Sequence, residues 1–245
     1  MTKTILITGA TSGIGEALAK LAARRGYAVI ACGRNQNKLA DLEAIENITT
    51  LQFDVTDAKQ TQEKLHTIDC DIAVLNAGTC EYVDVDEIEP DMFHRVFAPN
   101  FFGVVNCVAA LRPNLMRDDQ LVIVDSLARL LPFTRSQAYG ASKAALYYFT
   151  KSLAVDLTPA GVLVQSVSPG FVETPLTDKN DFEMPMKISV EEAVEDLLEG
   201  IEKRKGAIYF PTRFSLILRI LNLMPAFIQH NLCVSMKKKM RRGSK

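Results

Sequence analysis

Short apolar runs alternate along the chain with longer stretches whose apolar residues recur every three or four positions. The short runs predict buried strands, and the longer stretches predict amphipathic helices. In the first such stretch, Ile14, Leu18 and Leu21 fall on one helical face, and Gly26 ends the helix. The predicted strands cover residues 3–8, 27–32, 48–53, 71–75, 121–125 and 162–167, and the predicted helices cover 12–25, 35–45, 57–66, 84–116 and 138–158.

Pro99 interrupts the longest of these helical segments, 84–116. Proline lacks the amide proton that a helix interior uses, but it is well tolerated as the first residue of a helix. We therefore expect a new helix to begin at Pro99, beside Asn100.

The order of the elements indicates the fold class. Strands that alternate with helices favour a parallel sheet with helices on both faces. Right-handed crossovers then give an α/β fold with a single-domain, doubly wound, Rossmann-type sheet, whose ligand site lies beyond the carboxyl ends of the strands. The length of 245 residues suits one large domain. We expect it to span residues 1–212, with an extension over 213–245.

Composition excludes some classes of site. Apolar residues make up 48% of the chain, which is enough for a full core. The five cysteines and three histidines are scattered, so we expect no metal site and interpret the cysteines as reduced core residues of a cytoplasmic protein. Lys3 is the only basic residue before the short apolar run of the first strand, so we expect no cleaved signal peptide.

Charge is unevenly distributed along the chain. Residues 1–202 have a net charge of −12, whereas residues 203–245 contain 11 basic residues and no acidic ones. Residues 214–235 are strongly apolar, but interruptions such as Pro225 argue against a membrane span. One explanation is peripheral contact of residues 213–245 with an anionic membrane surface. The other is that this segment packs on the domain, over the substrate pocket or at a subunit interface. The basic C-terminal segment lacks the interleaved aromatic residues that are typical of nucleic-acid-binding surfaces, so we expect no nucleic-acid partner.

A glycine-rich turn follows the first predicted strand. Its spacing is Gly9-x-x-x-Gly13-x-Gly15, and it also contains Thr11, Ser12 and Ile14. Glycines there let backbone amides approach a pyrophosphate, and the helix N-terminus attracts the anion. The turn therefore predicts dinucleotide binding.

Arg34 follows the second strand, at the position where a carboxylate would bind the 2′-hydroxyl of NAD. A guanidinium suits a 2′-phosphate instead, so we expect NADP (NADPH) rather than NAD. The alternative is an exposed arginine at a helix start. The ends of the next two strands, where adenine and its ribose would rest, carry Asp54, Val55, Asn76, Ala77 and Gly78.

Tyr139 and Lys143 are four residues apart, on one face of the predicted helix 138–158, and Ser126 follows the fifth strand. The ammonium group favours the phenolate form of a nearby tyrosine, so we expect Lys143 to lower the pKa of Tyr139. The hydroxyl of Ser126 could hydrogen-bond a substrate oxygen. This set predicts proton transfer at a carbonyl.

Together these motifs resemble the classical short-chain dehydrogenase/reductase family over residues 3–210. The resemblance implies that Tyr139 transfers the proton, Lys143 holds the nicotinamide ribose, Ser126 orients the carbonyl and Asn100 supports a water relay. It further implies that Val172 and Thr174 contact the nicotinamide carboxamide and that Pro169 and Gly170 bind the cofactor.

The chain departs from the family pattern around Ser126, where Asp125 and Leu127 replace the usual small residues. The segment 175–188, where relatives have a substrate lid, is expected to govern selectivity. An apolar substrate pocket is one explanation for a further set of residues, and closure of the core is the other: Leu127, Leu131, Phe133 and Phe171.

The expected function is an NADP(H)-dependent oxidoreductase for a small apolar carbonyl or alcohol substrate. A non-catalytic NADP(H)-binding sensor or scaffold on the same fold is the alternative. Relatives associate through the helices around 100–115 and 138–158, which implies a homodimer or homotetramer.

Overall fold

The computed structural model describes residues 2–178, 180 and 182–243, with side chains as far as residue 237. It contains a seven-stranded parallel sheet in the order β3-β2-β1-β4-β5-β6-β7. All six predicted strands are present, and a seventh, β7, was not predicted. The strands are β1 (Thr4–Thr8), β2 (Ala28–Gly33), β3 (Ile48–Gln52), β4 (Ile72–Leu75), β5 (Gln120–Val124), β6 (Leu163–Pro169) and β7 (Ala207–Phe210).

Helices cover both faces of the sheet, which confirms the doubly wound α/β fold. Nine α-helices are described: α1 (Gly13–Arg24), α2 (Gln36–Glu43), α3 (Ala58–Leu65), α4 (Pro90–Phe97), α5 (Gly103–Leu111), α6 (Gln137–Leu157), α7 (Val190–Glu202), α8 (Thr212–Asn222) and α9 (Ala226–Gly243). One core lies between the sheet and α1, α2 and α7, and a second lies between the sheet and α3, α5 and α6.

The strand order reverses at β1, which pairs with β2 on one side and β4 on the other. In an open parallel sheet this reversal leaves a crevice at the carboxyl ends of the strands. The fold therefore places the loops after β1, β2, β4, β5 and β6 around one space.

The prediction that a new helix begins at Pro99 was wrong. Helix α4 begins at Pro90 and continues through a π-helical segment, Ala98–Phe102, directly into α5. Pro99 lies inside that segment. A π-bulge changes the local hydrogen-bond pattern, so the helix can pass a residue that lacks an amide proton.

Helices α8 and α9 pack one side against the domain. Leu218 of α8 and Cys233 of α9 are buried with Leu127, Leu130 and Leu131 in a small cluster beyond the main sheet. The side chain of Gln229 closes the turn between the two helices, because its Nε2 donates to the carbonyl oxygens of Asn222 at 3.0 Å and Met224 at 2.8 Å.

Candidate active site

A cleft of about 400 Å³ opens at the carboxyl ends of the strands, over the point where the strand order reverses. Most of the predicted site residues line it: Gly9, Thr11, Ser12, Gly13, Ile14, Arg34, Asp54, Val55, Asn76, Ala77, Gly78, Ser126, Tyr139, Lys143, Pro169, Gly170, Val172 and Thr174. Gly15 and Asn100 are not among the lining residues. The lining also includes Pro175, Leu176 and Thr177, which belong to the segment expected to govern selectivity. Seven further lining residues were not predicted to bind: Cys32, Gly33, Phe53, Thr79, Pro99, Val124 and Asp125.

The glycine turn has the backbone that its spacing predicts. Gly9 and Gly13 have φ values of +68° and +54°, which favour glycine. A Cβ on Gly15 would lie 2.3 Å from the carbonyl oxygen of Gly9, so Gly15 allows α1 to approach the turn closely. Among the described residues, the Ser12 side chain makes no capping hydrogen bond to the N-terminus of α1. The first amides of this helix therefore remain available to an anion, and the turn fits the pyrophosphate of a dinucleotide.

Asn76 ties the end of β4 to the end of β1. Its backbone amide donates to Thr8 Oγ1 at 3.0 Å, and its side-chain Nδ2 donates to the Thr8 carbonyl oxygen at 3.2 Å. The amide of Ala77 also donates to Thr8 Oγ1, at 3.2 Å. These bonds fix the loop that contains Gly78 against the glycine turn.

Arg34 lies at the far end of the cleft and forms an ion pair with Asp54. Nη1 of Arg34 is 3.3 Å from Oδ2 of Asp54, and 76% of the arginine side chain is exposed. Burial alone would raise the pKa of Asp54, but hydrogen bonds from the Thr56 amide and hydroxyl, together with Arg34, hold it below its ordinary value. The guanidinium is thus oriented by a carboxylate while most of its surface faces solvent.

Tyr139 lies in the first turn of α6, with its side chain facing the cleft. Burial raises the pKa of its phenol, and the nearby Cys80 and Asp125 raise it further, whereas a hydrogen bond with Ser126 lowers it. The prediction that Lys143 gives this phenol a lowered pKa is therefore wrong, because the net shift is upward. The Nζ of Lys143 lies 5.9 Å from the centre of the Tyr139 ring, and desolvation of the phenol dominates.

Lys143 is almost fully buried one turn further along α6. Its Nζ donates to the carbonyl oxygen of Val124, at the end of β5, at 2.8 Å. Burial lowers its pKa to about 8, against the opposing effects of Asp125 and Cys80. The ammonium is consequently the main form at neutral pH, with protons left over for a further acceptor.

Ser126 directly follows β5 and caps the short 3₁₀ turn Leu127–Arg129. Its Oγ accepts a hydrogen bond from the Ala128 amide at 3.1 Å and lies 3.5 Å from the Pro169 carbonyl oxygen. The hydroxyl is thereby held between the ends of β5 and β6, on the side where it contacts Tyr139.

Asn100 supports the site from beneath. It is fully buried in the π-helical segment, where its Oδ1 accepts from the Thr79 amide at 2.7 Å. Its Nδ2 donates to the Thr79 carbonyl oxygen at 2.9 Å and to Ser142 Oγ at 3.0 Å. The side chain thus fixes the loop after β4 to α6, and a Cβ on the adjacent Gly78 would lie 2.9 Å from its Oδ1.

Asp125 is part of a buried polar group that sequence reasoning missed. Its Oδ1 accepts from Arg129 Nε at 3.0 Å and from Ser168 Oγ at 2.6 Å. The guanidinium of Arg129 stacks 3.3 Å from the centre of the Tyr147 ring. Burial raises the pKa of Asp125 despite these partners. The signal was present in the sequence, as an acid and an arginine four residues apart directly after a strand.

Cys80 was predicted to be a core residue, but it is only half-buried and lies close enough to Tyr139 and Lys143 to affect the pKa of each. Burial raises the pKa of its own thiol to about 11. The other four cysteines are buried and free, as expected.

A row of aromatic rings begins at Tyr82, which is close enough to Tyr139 for the two phenols to interact electrostatically. Tyr82 and Phe182 have ring centres 5.6 Å apart, Phe182 and Phe171 are 6.1 Å apart, and Phe171 and Phe214 are 5.7 Å apart. Tyr82 also donates to Asn180 Oδ1 at 2.5 Å. The row joins the segment 175–188 to helix α8, although Lys179 and Asp181 of that segment lie outside the described residues.

The proposed apolar pocket residues have two different environments. Leu127 and Leu131 are buried in the cluster beneath α8 and α9, so they close a core. Phe133 is half-buried against the same cluster. Phe171 is half-buried in the aromatic row, where it faces the segment 175–188.

Comparisons with known proteins show which family and which relatives this chain is similar to. The family model described as short chain dehydrogenase matches residues 3–185. The chain is 30% identical over 234 residues to the NADPH-dependent 1-acyldihydroxyacetone phosphate reductase of Schizosaccharomyces pombe, covering 92% of this chain and 74% of that protein.

Solved structures show the same architecture. A short-chain dehydrogenase from Sphingobium yanoikuyae in complex with NADPH is 26% identical, with a TM-score of 0.79, and the match covers 88% of this chain and 92% of that one. A short-chain dehydrogenase/reductase from Burkholderia phymatum in complex with NAD is 23% identical, also with a TM-score of 0.79, over 89% of this chain and 92% of that one. The second likeness concerns the fold alone.

Proposed function

The chain belongs to the short-chain dehydrogenase/reductase family, and from that premise we propose that it is an NADP(H)-dependent oxidoreductase that interconverts a carbonyl and an alcohol. The observation that carries this proposal is that Ser126, Tyr139 and Lys143 line one cleft with the glycine turn. A binding module has no need of a phenol and a hydroxyl aimed at the same space.

The residues of the chain account for the proton side of the reaction. When bound, the nicotinamide supplies or accepts the hydride at the substrate carbon. Tyr139 donates its proton to the substrate oxygen during reduction and takes it back during oxidation. Because the pKa of the phenol lies above its ordinary value, Tyr139 is protonated at neutral pH, which suits reduction. The hydroxyl of Ser126 hydrogen-bonds the same oxygen and stabilises its developing charge.

Lys143 and the glycine turn would hold the cofactor. The Lys143 ammonium is anchored by the Val124 carbonyl oxygen and has further protons for the nicotinamide ribose. Asn100 acts through the loop after β4, which it fixes by its bonds to Thr79. We retain the proposal that Asn100 supports a water relay, which rests on the resemblance to the family.

NADP is the proposed cofactor because of Arg34. A 2′-phosphate would receive charge-assisted hydrogen bonds from the exposed guanidinium, whereas a 2′-hydroxyl would gain little from it. The NADPH dependence of the S. pombe relative supports this choice. Asp54 acts against it, since its carboxylate pairs with Nη1 of Arg34 and could accept a hydrogen bond from a ribose hydroxyl. The two reduced nicotinamides must therefore be compared directly.

An apolar carbonyl or alcohol is the proposed substrate, because the two ends of the aromatic row lie next to cleft residues. Tyr82 is close enough to Tyr139 for that phenol to affect the pKa of Tyr82, and a Cβ on Gly170 would lie 2.9 Å from the Phe214 ring. We also propose a cytoplasmic homodimer or homotetramer. Phe102, Tyr148 and Val155 support an interface on the helices around 100–115 and 138–158, because these large apolar side chains are exposed there.

The test is a panel of apolar ketones and aldehydes, assayed for oxidation of NADPH and of NADH, together with direct measurement of NADPH binding. The proposal predicts turnover of at least one compound, with a preference for NADPH. Binding of NADPH without turnover of any compound would favour the sensor instead.

A further inference from the structure

The outer side of helices α8 and α9 is unusually apolar for a surface. Nine of the 17 exposed large hydrophobic residues among the described residues fall between Leu216 and Met236. The outward face of the hairpin, here called the tail face, consists of Leu216, Ile217, Ile220, Leu223, Phe227 and Ile228. Exposed apolar clusters of this kind mark interaction sites.

The tail face is held in a fixed orientation. Leu218 and Cys233 anchor the inner side of the hairpin in the cluster with Leu127 and Leu131. Arg219 stacks on Tyr209 of β7, with 4.5 Å between the guanidinium carbon and the ring centre. The exposure of the outer side is therefore a consequence of how the inner side packs.

Charge identifies the kind of partner. No acidic residue follows Glu202, and residues 203–245 contain 11 basic ones, including Arg213 and Lys237. The basic residues Lys238, Lys239, Arg241 and Arg242 follow, although their side chains lie outside the described part of the structure. The rest of the chain, with a net charge of −12, is repelled by an anionic surface, so only the tail side is attracted to it.

The hairpin does not have the length to cross a bilayer. Helix α8 has 11 residues, and α9 begins after Pro225 and carries its basic residues at the far end. One helical stretch among the described residues, Pro90–Asn114, is long and apolar enough to span a membrane, but its α5 part packs against the sheet in the core of the domain. A short apolar face with flanking cations instead fits the plane of the interface.

We propose that the tail face docks on an anionic membrane surface, with its apolar side chains among the acyl chains and its basic residues at the headgroups. This inference goes beyond the proposed function and does not depend on catalysis. It has one consequence that rests on the proposed function. Phe214 connects the hairpin to Phe171 and the segment 175–188. A docked protein would hold the substrate side of its cleft close to lipid.

The test is co-sedimentation of the full chain with vesicles of phosphatidylcholine alone and vesicles that also contain phosphatidylglycerol. We compare the parent with Leu223→Ser/Phe227→Ser, which changes two of the most exposed residues of the tail face. The matched control is Ile88→Ser/Met116→Ser, because these two apolar side chains are also well exposed but lie outside the tail face. Size-exclusion chromatography of all three proteins accompanies the assay.

The proposal predicts that the parent and the control sediment with anionic vesicles, and that the partition coefficient of the tail variant is at least about tenfold lower. Salt at about 0.5 M should weaken binding several-fold by screening. Recovery of the parent in the supernatant with both vesicles would overturn the proposal, as would equal binding by the tail variant. The tail face would be a subunit interface instead if the parent does not bind vesicles and the tail variant elutes as a smaller species than the parent. Binding of NADPH, measured on the same proteins, reports separately on the proposed function.

Discussion

Asp125 and Arg129 form an ion pair, with 3.0 Å between Oδ1 and Nε, and both side chains are almost completely buried. The pair spans the 3₁₀ turn that Ser126 caps, so it fixes the turn on which the serine hydroxyl is placed. Ser168 Oγ donates to Asp125 at 2.6 Å, and the Tyr147 ring stacks on the guanidinium of Arg129. Asp125, one of the two residues that depart from the family pattern around Ser126, is thus part of a structural support next to the site.

Removing either charge of this pair should destabilise the fold strongly, because the other charge would remain buried without a partner. We expect Asp125→Ala and Arg129→Met each to lower the free energy of unfolding by about 3 kcal/mol, and the double variant to lose less than the sum. Urea denaturation measures all three. The exposed pair Lys59–Glu63 is the control and should show coupling close to zero. Additive losses at Asp125 and Arg129 would show that the pair has no such role.

The sheet could be predicted from the sequence because buried parallel strands appear as continuous apolar runs. All five residues of β5 are buried, and its boundaries were correct to within a residue. The four-residue edge strand β7 alternates between buried and half-buried positions and gave too weak a pattern. Helix α7 was missed although Ser189 caps it, with its Oγ accepting from the Glu192 amide at 3.1 Å.

The cleft was predictable because its residues follow strand ends, whereas other contacts depend on tertiary packing. Cys80 is brought to Tyr139 by a loop whose path no local pattern predicts. The same holds for Asn100, whose place beneath Gly78 depends on the π-helical segment around Pro99. The predicted direction of the Tyr139 pKa shift was wrong because the effect of burial, which the sequence does not reveal, outweighs that of the lysine charge.

Gly15→Ala should disrupt the glycine turn. The new Cβ would lie 2.3 Å from the Gly9 carbonyl oxygen and 2.6 Å from Asn76 Nδ2, so the helix must move away from the strand. We expect a loss of about 2 kcal/mol in the free energy of unfolding and weaker NADPH binding, measured by denaturation and by titration. At Gly206, where a Cβ would meet nothing within 4 Å, the same change should be tolerated. Equal behaviour of the two variants would contradict this explanation.

Arg34→Ala should reduce the preference for NADPH. Loss of charge-assisted bonds to a 2′-phosphate predicts a KM for NADPH about 10- to 100-fold higher, with the KM for NADH little changed. Steady-state kinetics with both cofactors measure this difference. Lys59→Ala, which removes another exposed cation, is the control. An unchanged KM for NADPH in Arg34→Ala would remove Arg34 from the phosphate site.

Lys143 should make stability depend on pH in the alkaline range. Its pKa falls from an ordinary 10.5 to about 8 in the folded protein, so between these values the unfolded chain binds more protons than the folded one. The contribution of this group to stability therefore rises with pH from about 8 to 10.5 and is constant below about 8. Compared with Lys143→Met, the parent should gain stability across this range in urea denaturation. Parallel curves for the two proteins would contradict the shift.

The role of Tyr139 as the proton donor is measured in Tyr139→Phe. Tyr148→Phe, a change at an exposed tyrosine on the same helix, is the matched control. The measurement is kcat for the best substrate of the carbonyl panel with NADPH, alongside NADPH binding. We predict that Tyr139→Phe binds NADPH nearly as the parent does and loses kcat by at least about 100-fold, while Tyr148→Phe keeps the parent rate. Turnover by Tyr139→Phe at the parent rate would contradict the account.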